Sequence, residues 1–220
     1  MFIPKQFDAD FDFSDKGNWE KFLKKIEKLL EFNPHDAEAY FNRSLCYAAL
    51  GKQEQSVDDF CCATDLNSEE ADVYFYWRGH IHLRLGRLEL AIEDLTETIK
   101  LSPDDFHAFF HRGIAHAELG NLPEALEDFD EAVDIDPDDP EAYYHRGATY
   151  AEMERYEEAV CDFDRLIELS PKDEEAYLER GLVYRKMGDE EKATASFKAS
   201  AELGCDAAKV YLDKKKGEEP

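Results

Sequence analysis

Residues 106–139 read FHAFFHRGIAHAELGNLPEALEDFDEAVDIDPDD, and near-copies flank this stretch at an almost fixed interval. Within it, Phe109, Ile114 and Ala115 carry an apolar helical pattern that stops at Gly120. Leu122, Ala125, Leu126, Phe129, Ala132 and Val133 carry a second one, which ends at the breaker Asp136-Pro137. The spacing predicts two short helices joined through Gly120-Asn121 as an antiparallel hairpin. A hairpin of this size cannot bury both of its apolar faces within itself, so its neighbours in the chain must cover the rest.

Outward from this unit, the same 34-residue register opens copies at Asp72, Pro140 and Glu174, while a copy opening at Ala37 carries one extra residue. The fourth position is always aromatic (Tyr40, Phe75, Phe109, Tyr143, Tyr177) and the seventh always arginine (Arg43, Arg78, Arg112, Arg146, Arg180). Position eight is small (Ser44, Gly79, Gly113, Gly147, Gly181), as is position twenty (Ser56, Ala91, Ala125, Ala159, Ala193). Position twenty-four is large and apolar (Phe60, Leu95, Phe129, Phe163, Phe197). Small opposite large is how two helices interdigitate.

The pattern resembles the tetratricopeptide repeat, over about residues 15–212. That resemblance implies an all-α fold, a right-handed α-solenoid or superhelix of stacked antiparallel helix hairpins. It divides the chain into an acidic and aromatic segment 1–16 and one solenoid domain 17–216. Within the domain lie a half repeat 17–36, full repeats 37–71, 72–105, 106–139, 140–173 and 174–205, and a capping helix 206–216, ahead of a tail 217–220. Departures are local: Ser44 and Ser56 in the first full repeat, Glu154 in place of the turn glycine of the fourth, and Cys205 where the fifth expects proline.

In this family position seven is usually apolar, so the recurring arginine needs an acceptor between the packed helices. Position twenty-three supplies one in four units, giving the expected structural ion pairs Arg43 with Asp59, Arg78 with Asp94, Arg112 with Asp128 and Arg146 with Asp162. The fifth unit has Ser196 there, so Arg180 must find another partner.

The 220 residues include 52 acidic and 26 basic ones, a formal charge of −26. Such a field repels phosphate backbones and anionic membrane surfaces and attracts basic partners. The first residues lack the charged start and apolar core of a secretory signal, and no apolar run has membrane-spanning length. Five cysteines at irregular spacing argue against a disulfide framework and for a cytoplasmic location.

In tetratricopeptide proteins the first helices line a concave surface, and the resemblance carries positions two, five, six, nine, twelve and thirteen onto it. The candidate peptide-binding residues are therefore Phe41, Leu45, Tyr76, His80, His107, Phe110, His111, Ile114, Tyr144 and His145. Large, rigid rings flanked by imidazoles suit an extended peptide or a partner helix. The expected function is a non-catalytic scaffold for a protein or peptide partner of basic or aromatic character, with no cofactor, in a monomer or weak homodimer. The carboxylate clamp of the chaperone-adaptor members is absent: Phe41 and Leu45, Trp77, then His107 and His111 stand where lysine, asparagine and arginine would be.

Two other readings draw on the same residues. In one, the groove of a structural subunit is filled by its own N-terminal segment, where Phe7, Phe11 and Phe13 alternate with aspartates, or by a second copy. In the other, His107 and His111, four apart on a helix, and His145 one unit on would hold a metal. Glu175 is too far away in register to complete such a site, and no nucleophile-base constellation or phosphate-cradling glycine loop supports catalysis.

Overall fold

The computed structural model describes residues 15–216, with side chains to residue 212; the acidic and aromatic segment 1–16, which fills the groove in the alternative reading, lies almost wholly outside that range. The described residues form twelve α-helices and no strand: α1 (Lys16–Phe32), α2 (Ala37–Ala49), α3 (Gln53–Leu66), α4 (Ala71–Arg84), α5 (Leu88–Leu101), α6 (Phe106–Glu118), α7 (Leu122–Ile135), α8 (Pro140–Glu152), α9 (Tyr156–Leu169), α10 (Glu174–Lys186), α11 (Glu190–Leu203) and α12 (Asp206–Lys216). They gather into two compact units that divide between His111 and Arg112, inside α6.

Local chemistry sets the hairpin ends. An aspartate precedes most first helices, and its carboxylate accepts from a first-turn backbone N–H: Asp36 from Ala39 at 2.9 Å, Asp105 from Ala108 at 3.1 Å, Asp139 from Ala142 at 3.0 Å and Asp173 from Ala176 at 3.1 Å. Between the two helices of each repeat the backbone enters the left-handed region. Gly51, Gly86, Gly120 and Gly188 do so without a Cβ penalty, but in the fourth repeat Glu154 is held there at φ 59°.

In the first unit α2 packs on α3 and α4 on α5, with α1 against α2. Trp19, Leu23, Ile26 and Leu30 bury the inner face of α1 around Ala39 and Cys46, while Phe32, at 92% exposure, points to solvent. In the second unit α8 packs on α9, α10 on α11, and α12 covers the last hairpin by seating Ala208 and Tyr211 against Phe197. The Phe197 and Tyr211 rings stack at 4.9 Å, and the Arg185 guanidinium lies 4.4 Å from the Tyr211 centroid.

The large residue at position twenty-four is buried in every repeat, and the small residue at position eight is what admits it. A Cβ on Gly113 would stand 2.7 Å from the Phe129 ring, and one on Gly181 2.7 Å from Phe197. In the first full repeat Ser44 and Ser56 are fully buried; Ser44 donates to the Phe41 carbonyl, whereas the Ser56 hydroxyl has no hydrogen-bond partner.

Between the helices of each hairpin sits the arginine. Its guanidinium grips the position-twenty-three aspartate through two nitrogens in four repeats: Arg43 on Asp59 at 2.7 and 2.7 Å, Arg78 on Asp94 at 2.8 and 2.6 Å, Arg112 on Asp128 at 2.9 and 2.6 Å, and Arg146 on Asp162 at 2.8 and 2.7 Å. These aspartates are buried, so the fork-to-carboxylate geometry is what makes their charge tolerable. The position-four ring lies under the same guanidinium, at 5.2 Å for Tyr40, 5.3 Å for Phe75, 5.5 Å for Tyr143 and 5.4 Å for Tyr177.

The remaining guanidinium nitrogen reaches back to the preceding repeat. Arg146 donates to Asp130 at 2.8 Å and Arg180 to Asp164 at 2.5 Å, with Ser196 at 3.2 Å as the second acceptor of Arg180. In the first unit the equivalent acceptor is a thiol, Cys61, 3.1 Å from Arg78. Each arginine of this kind therefore ties two hairpins together as well as the two helices of its own.

Candidate functional site

Position five of the first helices does not present an even row of rings. Phe41 and Phe110 are each only 6% exposed. Phe41 packs edge-on to Phe60 at 5.9 Å and against Tyr74 at 5.4 Å, and Phe110 stacks on Phe106 at 5.6 Å. Both are core contacts in place of the open surface expected of them, because Phe41 has the Phe60 and Tyr74 rings to pack against and Phe110 has Phe106. Leu45 is half-buried in the same cluster as Phe41.

What remains accessible in the first unit is a compact group on α4 and the first half of α6. Tyr76 and His80 are half-buried on α4, one turn apart, with ring centroids at 6.4 Å. His111 meets both, 5.8 Å from Tyr76 and 4.9 Å from His80, and exposed His107 lies 6.3 Å from Tyr76. Trp77, absent from the residues singled out above, closes the group at 5.6 Å from Tyr76 and 6.0 Å from His80. It occupies position six, which the family places on the same surface, so its register was the available signal.

Burial tunes these groups. The Tyr76 hydroxyl is pushed up to about 12 by desolvation and by Asp105. Desolvation, with the neighbouring His111 and Arg84, lowers His80 to about 4, and desolvation also lowers His111. His80 is thus neutral near pH 7 and well below it, and His111 is shifted in the same direction. Among the described residues no group of three or more His, Cys, Asp or Glu is positioned to hold a metal. His111 Nδ1 is instead engaged by the His107 carbonyl at 2.7 Å.

In the second unit Ile114 is half-buried, and the His145 ring stacks on Phe129 at 5.9 Å while touching Tyr144 at 5.4 Å. Half-buried Tyr144 faces three carboxylates, Glu175, Glu179 and Asp173. Glu179 is raised above its ordinary range, first by desolvation and then by Glu175 beside it. No described cation forms an ion pair with Glu175 or Glu179, in contrast to the buried aspartates of the arginine series. The surface around Tyr144 is therefore acidic, and that around Tyr76 is aromatic and nearly uncharged.

Family models for the tetratricopeptide repeat match residues 76–140, 149–188, 174–203, and 26–58 together with 129–160. Relatives include serine/threonine-protein phosphatase 5 of Rattus norvegicus, 28% identical over 43% of this chain and 19% of its own length. The mitochondrial import receptor subunit TOM70 of Homo sapiens is 34% identical over 37% of this chain and 14% of its own. The chain thus matches less than a fifth of the length of either. Among solved structures, YrrB, described as a TPR protein with an unusual peptide-binding site, superposes with a TM-score of 0.75 at 21% identity, covering 87% of this chain and 99% of that one. The MamA protein superposes with a TM-score of 0.72 at 19% identity, covering 84% and 96%. At these identities the likeness to both structures is one of fold.

Proposed function

The chain belongs to the tetratricopeptide repeat family, and from that premise we propose that it is a non-catalytic interaction module holding a peptide or partner helix on the exposed side of its first helices. The observation that carries this reading is the group Tyr76, Trp77, His80, His107 and His111, five rings joined into one group by neighbouring centroids 4.9 to 6.4 Å apart and left partly open by the chain's own core. Rigid amphipathic rings lose little conformational entropy on binding, which is why they dominate interface energetics. Tyr76, His80, His107 and His111 are the contact residues of this reading in the first unit, and Ile114, Tyr144 and His145 in the second. Phe41, Leu45 and Phe110 support them from beneath.

The partner is inferred to be basic as well as apolar. Glu175 and Glu179, unpaired beside Tyr144, offer a lysine or arginine side chain two carboxylates and an aromatic face. A cytoplasmic setting is supported by five free thiols, and no helix among the described residues is long and apolar enough to cross a membrane.

The test is peptide display against the full chain, followed by affinity measurement of a selected peptide. Tyr76→Ala is expected to weaken it about tenfold or more, as for a central aromatic anchor. Glu127→Ala, on the exposed side of α7, should leave it unchanged. Equal affinity for wild type and Tyr76→Ala would refute the assignment of the face.

A further inference from the structure

His80 on α4 and His111 on α6 meet edge to face with centroids 4.9 Å apart, and among the described residues neither forms an ion pair with a carboxylate. The groups bearing on His80 are His111 and Arg84; those on His111 are His107 and Asp105. Only Asp105 is an anion, and it acts on one ring alone. The helices flanking α4 supply no further counter-charge, since Asp94 of α5 is held by Arg78 and faces His82, and Cys61 of α3 faces Arg78.

Proton positions sharpen the point. The His107 carbonyl can only accept, so His111 Nδ1 carries the proton in that 2.7 Å contact and Nε2 is where a second would bind. His80 Nδ1 is buried without a hydrogen-bond partner. A second proton on either ring would place a desolvated cation against a neighbouring imidazole that also resists charging.

We propose that this imidazole pair is an acid-operated release: charging both rings forces the α6 turn bearing His111 away from α4 and dismantles the surface on which a partner sits. The release half rests on the functional reading above; the opening of the face does not. The sign follows from burial. Both rings are lowered from the ordinary 6.5, His80 to about 4, so the neutral forms favour the closed face. That contribution is full above about pH 6.5 and is lost as the pH falls towards the folded-state values.

Trp77, 6.0 Å from His80, reports on the step, because a protonated imidazole quenches indole emission. In the full chain carrying Trp19→Phe, Trp77 emission is expected to fall between pH 7 and 4 with a midpoint below about 5.5. Amide protection in α4 and in residues 107–111 should fall with it. The double variant His80→Asn with His111→Asn cannot charge there and is expected to lack the step. The same midpoint in that variant would assign the transition to carboxylates and overturn the proposal. So would resonances of His80 and His111 in the wild-type chain that titrate at or above 6.5, which needs no variant to fold. A display-selected peptide bound at pH 7 should lose affinity about tenfold or more at pH 4.5 in the wild-type chain, and unchanged affinity across that range would overturn the release half. If no peptide binds at pH 7 while the Trp77 step is present, the functional reading fails and the acid-driven opening stands.

Discussion

A buried aspartate tolerates its burial only while the guanidinium is there. Arg78→Ala leaves Asp94, 5% exposed, without its two nitrogens, and is expected to cost about 3–5 kcal/mol in chemical denaturation. Two other residues are expected to improve the protein when changed. Ser56 buries a hydroxyl without a partner where every other full repeat has alanine, so Ser56→Ala should stabilise by about 1 kcal/mol. Glu154→Gly, at φ 59°, should add about 0.5–1 kcal/mol by removing a left-handed Cβ, the entropy of the added glycine taking back part of the gain. Both positions were legible as departures from the repeat before any coordinates. The second grip of each arginine was not, although Asp130 and Asp164 stand at one fixed register position. Knowing that a guanidinium nitrogen is left over, and which way it points, requires the packed helices.

At the scale of the hairpin, the small residue of the first helix and the large one of the second set the distance between helices. Gly181→Ala would place a methyl 2.7 Å from the Phe197 ring and push α10 off α11, with a loss of about 1–3 kcal/mol expected in thermal unfolding. Helix stops were readable from the turn glycine and from the breaker Asp136-Pro137, because these act within a few residues. The accessible face was readable only in part. Tyr76 remains partly open while Phe41 and Phe110, at the same register position, are buried. Periodicity fixes the side of a helix on which a residue lies, but how deeply it is covered depends on side chains contributed by other hairpins.

For the molecule as a whole, a formal charge of −26 makes association with a basic partner a salt-sensitive event. A lysine-bearing peptide is expected to associate about tenfold more slowly at 300 mM than at 10 mM salt, with a smaller change in dissociation, as read by stopped-flow fluorescence. The back-reaching arginines have a consequence of another kind. Arg146 and Arg180 take acceptors sixteen residues before them as well as sixteen after. Excising residues 140–173 would bring Asp130 to Arg180 in the place of Asp164, and duplicating them would supply a fresh copy of each grip. A gene can therefore lengthen or shorten by whole modules without any compensating substitution at the new junction. At the seam of Arg78 the acceptor is instead the Cys61 thiol, seventeen residues before it across the single inserted residue.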